Sequence, residues 1–308
     1  QWKRNNYKEV QNRFDEPYDN SPAPSKIPGA GLEFNIENLG KTISARLSVE
    51  DAICQVKWGN GIEFNSFVHA TDKVGWFKIK GVPKDFKPTL IPPAYNIAGK
   101  SDAESPVTGQ DLRRLKYPKG NVVEDGNSIT YTQEGWSGFS YNVNVTWLQV
   151  DDVLVGCWSI IADFQERDKK TVAKDIVIEK LDEGYSNAFM THKKWWKDYW
   201  KKSSISIPDQ VLEKQWYLEQ YKFGSVARDG APPISLQAIW TADNGKLPPW
   251  KGDFHHDLNT QLSYWPSYSG NHLDLENGFL EWMLKYKDTF KKYTKEYYES
   301  DGLAVPGV

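Results

Sequence analysis

Alternation of apolar and polar residues, the signature of half-buried strands, starts at Leu32 and gives way to helical spacing near residue 185. A chain built this way must fold as a β part followed by an α part. The alternating segments read LEFNIE, TISARLSVE, QVKWG, GWFKIKGV, SITYTQ, FSYNVNVTWLQV, VLVGCWSIIADF and DIVIEKL. Gly, Asp, Asn and Pro between them suit the hairpins of antiparallel sheets. Residues 1–31 mix charge with Pro, Ser and Gly and read as an irregular arm lying on a neighbouring surface, and the proline-rich excursion from Pro83 to Lys119 leaves room for short edge strands. Then HKKWWKDYWKK puts Trp196 and Trp200 four apart, on one face of a connector helix. Pro208 and Asp209 start a second helix, QVLEKQWYLEQYKFGSVA, which Arg228, Asp229 and Gly230 close. A further helix is expected from Leu273 to Tyr298, with Leu275, Phe279, Trp282, Met283 and Tyr286 as its apolar stripe. The expected division is an arm at 1–31, a β-sandwich at 32–185, a linker helix region at 186–207 and a helical domain at 208–308.

Composition narrows what such a chain binds. With 38 Lys and Arg against 41 Asp and Glu, the net charge is -3, which gives no electrostatic case for nucleic acid or an anionic membrane. Two cysteines, Cys54 and Cys157, are too few for a disulfide scaffold or a cysteine metal cluster; one bridge is possible, and two buried thiols are the simpler expectation. No apolar run reaches the roughly 18 residues of a membrane span. A start at Gln1 without a leader points to a processed or trimmed form, and so to an exported protein. Eight of the 14 Trp fall between residues 195 and 282, marking the second half as the binding half unless they build its core.

Within that half, residues 255–266 read HHDLNTQLSYWP, after LQAIW at 236–240 and PPW at 248–250. Histidines, a carboxylate, amides and a hydroxyl among aromatics make poor core but suit a pocket for a ligand with many hydroxyls. Adjacent histidines diverge on a regular backbone and no H-E-x-x-H spacing occurs, so neither a metal nor another cofactor is expected. No G-x-S-x-G context surrounds Ser263 or Ser267, and no phosphate-cradling glycine loop is present.

These residues resemble the catalytic-domain motif of glycoside hydrolase family 95, the α-fucosidase and α-galactosidase family. The matching positions are Leu236, Gln237, Ile239 and Trp240, then Pro248, Pro249 and Trp250, then His255, Asp257, Asn259, Gln261, Tyr264, Trp265 and Pro266. The resemblance implies a multidomain β + α chain: an N-terminal antiparallel β-supersandwich, a linker helix, then the first helices of an (α/α)6 barrel. It also implies inverting hydrolysis of α-linked sugars, with Asp257 and Asn259 as the catalytic pair that positions water. His255, His256, Trp240, Trp250, Gln261, Tyr264 and Trp265 would bind an oligosaccharide or glycan. Asp257 departs from the family, which has Asn there; a carboxylate can accept a proton, retune a subsite, or simply cap the following helix. The family's acid and base lie far downstream, so the C-terminal part of the same enzyme is the expected partner that supplies the acid. A non-catalytic carbohydrate-binding protein, an interaction protein whose half-barrel another chain completes, and a sugar phosphorylase of the same architecture are the rival readings.

Overall fold

The computed structural model describes residues 9, 21, 25–96, 110–164, 172–240 and 246–307; most of the expected arm at 1–31 lies outside them. Two compact units emerge, one of residues 29–93 and 117–221, the other of residues 1–28, 94–116 and 222–308.

The first unit holds ten strands: β1 Gly31–Phe34, β2 Thr42–Ser48, β3 Ile53–Trp58, β4 Glu63–Val68, β5 Gly75–Lys80, β6 Pro88–Ile91, β7 Asn121–Asp125, β8 Ser128–Glu134, β9 Phe139–Val150 and β10 Val153–Phe164. Eight of them form one antiparallel sheet in the order β2-β3-β4-β5-β10-β9-β8-β7. β1 and β6 pair separately as an antiparallel ribbon. Phe34 of the ribbon places its ring 5.1 Å from Phe77 and 5.8 Å from Phe64, so the ribbon covers one face of the large sheet. Helices α1, Ala173–Glu183, and α2, Tyr185–Trp200, follow the strands. Their Val177 and Ala188 join Ile53, Phe67, Val74, Trp76 and Cys157 in a buried core on the sheet. Central strands covered on both faces lose simple alternation, which is why Trp76 and Phe77 are both 1% exposed. Cys54 and Cys157 are free thiols, and burial pushes the Cys157 thiol up to about 12.

The order of parts, antiparallel sheets and then helices, is the one the sequence implied. One segment is corrected: DIVIEKL, expected as a strand, lies in α1. Ala173 and Val177 are fully buried and Leu181 packs beside them, a four-residue repeat that the β-branched Ile176, Val177 and Ile178 disguised as alternation. Conversely EFNSFV at β4 and NVVED at β7 are strands that the pattern did not announce, and β6 is one of the edge pieces left room for in the proline-rich excursion. Helix α3, Gln210–Val226, starts as expected, because the Asp209 carboxylate accepts the Val211 and Leu212 amides at 2.9 and 3.1 Å.

Gly156 faces Phe77 across the β10–β5 pair, and a Cβ there would lie 2.0 Å from Phe77 Cζ. Gly156→Ala is therefore expected to cost about 2 kcal/mol by overpacking. A denaturant midpoint equal to that of the parent chain would refute this.

In the second unit α4, Asn259–Ser269, is followed by a 3-10 turn at Leu273–Glu276, then α5, Asn277–Lys285, and α6, Lys287–Tyr298. The single helix expected over 273–298 is thus three pieces, broken at Glu276 and at Tyr286, whose ψ of 11° departs from helix. Most of its stripe faces inward: Leu275 is buried and Phe279, Trp282 and Met283 are partly buried, but Tyr286, at the break, is exposed. No helix of the described residues is long and apolar enough to cross a membrane.

Candidate functional site

Main-chain hydrogen bonds tie the motif's separate pieces together. The Leu236 amide donates to the Asp253 carbonyl at 2.8 Å, which brings LQAIW beside the two histidines. The Ile234 amide donates to the Tyr264 hydroxyl at 2.9 Å, fixing the same segment to α4. PPW turns sharply, with Trp250 and Lys251 at φ of 48° and 56°, and the buried Lys251 carbonyl accepts the Lys26 amide at 2.9 Å. The Lys26 ammonium reaches the Ala238 carbonyl, and burial holds its pKa below the usual lysine range. Residues 241–245, the middle of the loop, lie outside the described residues.

On this scaffold the predicted residues divide by exposure. Asp257, Asn259 and Gln261 are exposed at the start of α4. Leu258 holds the helix's cap position without a side-chain bond, so Asp257 is not the cap; its carboxylate makes no hydrogen bond or ion pair among the described residues. Gln261 donates its amide to the His256 carbonyl at 2.9 Å. His255 brings Nε2 to 2.8 Å from Asp253 Oδ1, a close contact without the alignment of a hydrogen bond. His256 stands in an aromatic stack, 5.6 Å from Phe254 and 5.7 Å from Trp282, and burial lowers its pKa despite the neighbouring Asp257. An imidazole packed in this way stays neutral.

Tyr264 has a packing role. It is 3% exposed and stacks 4.8 Å from Phe279; its hydroxyl accepts the Ile234 amide, and burial pushes its pKa up to about 12. By contrast Trp240, Trp250 and Trp265 are 48%, 40% and 57% exposed, with no ring contact linking them to one another. The tryptophan surplus accordingly splits. Trp195, Trp196, Trp200 and Trp216 lie on α2 and α3 in the first unit, where Trp196 is buried against Tyr199 and Tyr221, while these three face solvent. Among the described residues no three His, Cys, Asp or Glu side chains converge as a metal site requires.

Residues 168–307 match the sequence model of the glycosyl hydrolase family 95 catalytic domain. That part of the chain is glycoside hydrolase family 95-like. Similar curated proteins agree: "Alpha-L-fucosidase 2" of Arabidopsis thaliana is 30% identical over 92 residues, 30% of this chain and 11% of the relative. "Probable alpha-fucosidase A" of Aspergillus niger (strain ATCC MYA-4892 / CBS 513.88 / FGSC A1513) is 37% identical over 65 residues, 20% of this chain and 8% of the relative. The aligned stretches thus span about a tenth of those relatives. Among solved structures, "Putative kojibiose phosphorylase from human microbiome" superposes with a TM-score of 0.59 over 90% of this chain and 42% of its own, at 14% identity, a likeness of fold alone.

The family 95-like segment also contains side chains that the motif did not single out. Asp253 is one, two residues before the histidine it touches, where a carboxylate flanking HH was the available signal. Glu276 is another: it is 7% exposed beneath α4 and accepts the Tyr268 hydroxyl at 2.6 Å and the Ser267 hydroxyl at 3.3 Å. That hydrogen bond to Glu276 raises the Tyr268 pKa above the usual phenol range. Glu276→Gln keeps an acceptor for Tyr268 but loses the charge, so a cost of about 1 to 2 kcal/mol is expected. A melting curve unchanged by the substitution would exclude this anchoring role for α4.

Proposed function

We propose that this chain is part of an inverting glycoside hydrolase that acts on α-linked, fucoside- or galactoside-like sugars of glycans. The observation that carries the reading is the exposed start of α4, where Asp257 and Asn259 stand free beside a histidine pair held by Asp253 and an aromatic stack. In this reading His255 grips sugar hydroxyls, Asp257 and Asn259 position the attacking water, and Trp240, Trp250 and Trp265 offer their faces to sugar rings. His256 and Tyr264 shape the wall from behind. The curated relatives are α-fucosidases by name, which favours the fucoside.

An inverting enzyme needs a second carboxyl group roughly 6.5 to 9.5 Å from the first, to protonate the leaving oxygen. We assign that acid to the sequence by which the family domain continues. The chain's order is then a β-sandwich at 32–185, a linker at 186–207 and the start of an (α/α)6 barrel from 208. α5 supports this, because Leu280 and Leu284 on its outer side are 47% and 69% exposed, an apolar face that further barrel helices would cover. Export belongs to the same reading, since glycan substrates of this kind lie outside the cell.

The test is turnover of 4-nitrophenyl α-L-fucoside and α-D-galactoside by the protein carrying the whole family domain, with the first-formed anomer read by NMR. Release of the β-anomer is expected; release of the α-anomer would overturn the inverting mechanism. The phosphorylase name of the structural neighbour supplies the second reading. Sugar 1-phosphate formed only with added phosphate would establish it instead.

A further inference from the structure

The first unit contains a cavity of about 570 Å³ that the glycosidase reading does not use. Three turns build it: the loop after β5 with Lys84, Asp85 and Phe86, the β7–β8 hairpin with Asn127, and the β9–β10 hairpin with Asp151; Gln149 lines one side. These turns are tied to one another. The Gly81 and Val82 amides donate to the Asp152 carbonyl at 2.9 and 3.1 Å, the Gln149 side-chain Nε2 donates to Pro83 O at 2.8 Å, and the Trp147 amide donates to Asn127 O at 3.0 Å. Phe86 is itself stacked on Phe34, with ring planes 6° apart. The walls are therefore set before any ligand arrives, which lowers the ordering cost of binding.

The chemistry of the lining selects the ligand. Among the described residues, the side chains of Lys84, Asp85, Asn127 and Asp151 make no hydrogen bond or ion pair, whereas other surface charges such as Lys57–Glu63 and Lys174–Asp125 are paired. Lys87 is paired with Glu124 at 3.4 Å and Lys84 offsets one of Asp85 and Asp151, so the cavity keeps about one negative charge, which repels phosphate and sulfate, and among the described residues no three carboxylate or imidazole groups converge to hold a cation. Trp147, 4% exposed at the floor, and the half-buried Phe86 give too little apolar surface for a lipid or an apolar peptide. What remains is a neutral ligand with many hydroxyls, which carboxylates, amides and an ammonium can engage as both donors and acceptors. The volume falls within the range of small-ligand sites.

We infer that this loop end of the large sheet is a binding site for one or two units of a neutral saccharide, in a different unit of the chain from the motif at α4. The inference does not rest on the hydrolase reading, since it requires no bond to be broken.

The test uses this chain, labelled with ¹⁵N and titrated with methyl α-L-fucoside, methyl α-D-galactoside, lactose and cellobiose. The expected result is saturable amide shifts at Gly126, Asn127 and Asp151 with at least one of these sugars. Asp151→Gly is the informative variant, because Asp151 has a φ of 53°, where glycine is unstrained, so the turn survives while the carboxylate is lost. Affinity should fall at least about tenfold in Asp151→Gly, and likewise in Asn127→Ala, each loss being one hydrogen-bonding partner. Lys57→Ala, on the exposed β3–β4 pair, should bind as the parent does. No saturable shift with any of the four sugars, shifts confined to residues 255–266, or undiminished affinity in both Asp151→Gly and Asn127→Ala would each overturn the inference.

Discussion

In the protein carrying the whole family domain, Asp257→Asn is expected to lower kcat by about 10²-fold while KM changes little, because general base catalysis contributes about 10² to 10⁴. The substitution makes an unusually clean test, since Asn is the residue the family has at this position. It keeps the size and one acceptor oxygen of the side chain and removes only the ability to take a proton. Asp257 is exposed, caps no helix and anchors nothing, so the fold should not register the change. About 10²-fold corresponds to about 2.7 kcal/mol of transition-state stabilisation. Asn259→Ala should also act on kcat, by about 10² through loss of water orientation, with stability unchanged because the side chain is exposed on the first turn of α4. If Asp257→Asn leaves kcat intact while Asn259→Ala does not, Asp257 is a subsite residue and the base lies elsewhere. Initial rates at saturating fucoside, with circular dichroism as the control for folding, decide between them.

How much of this was legible in the sequence depends on which forces wrote each feature. The β-then-α order was legible because burial on one face imposes a period, which β3 and β8 keep, whereas β5 and β9, covered on both faces, were legible by their β-branched and aromatic residues between turn signals. Asp209 was legible as a helix start because capping is local and needs only a short acceptor at the right place. α1 was misread because its Ile-Val-Ile core shows apolar residues two apart, and only the partners Ala173 and Leu181 four residues either side reveal the helix. The motif at 255–266 was legible as a site but not in its parts. Composition cannot tell that Tyr264 turns inward to take the Ile234 amide while Trp265, the next residue, turns out; that follows from which face of α4 meets Phe279 and Phe223. The cavity at the loop end of the sheet left no sequence signal, since its residues come from three turns spread between Lys84 and Asp151.

Acidification from about pH 6.5 to 4 should destabilise the first unit, and His192 is the reason. It lies on α2, fully buried, its ring 4.6 Å from Phe67 and 5.9 Å from His69. Nε2 is 2.7 Å from the Asp51 carbonyl, which can only accept, so the proton of the neutral ring sits on Nε2. Nδ1 is buried without a hydrogen-bond partner, and the Asp51 carboxylate offsets only part of the cost of a second proton on the ring. Burial lowers the pKa to about 4; the bond to Asp51 opposes this, and His69 adds to it. In the unfolded chain the same ring takes its proton near 6.5. Between about 6.5 and 4 the unfolded state therefore binds the extra proton, and stability falls as pH drops through that window, by about 3 kcal/mol at its lower end. Above 6.5 both states hold a neutral ring and stability is flat. His69 acts in the same direction: burial lowers its pKa although Asp72 faces it, and its Nδ1 accepts the Asp72 amide at 2.9 Å, a bond that protonation breaks. Lys180 lies 3.1 Å from Asp72 and adds a positive charge against protonation, while Glu183 works the other way. His192→Gln keeps a donor for the Asp51 carbonyl but cannot titrate. Its urea midpoint should be lower than the parent's at pH 7.5, yet lose much less of its value between pH 6.5 and 4.5. Equal losses in the two proteins would show that another group drives the acid transition.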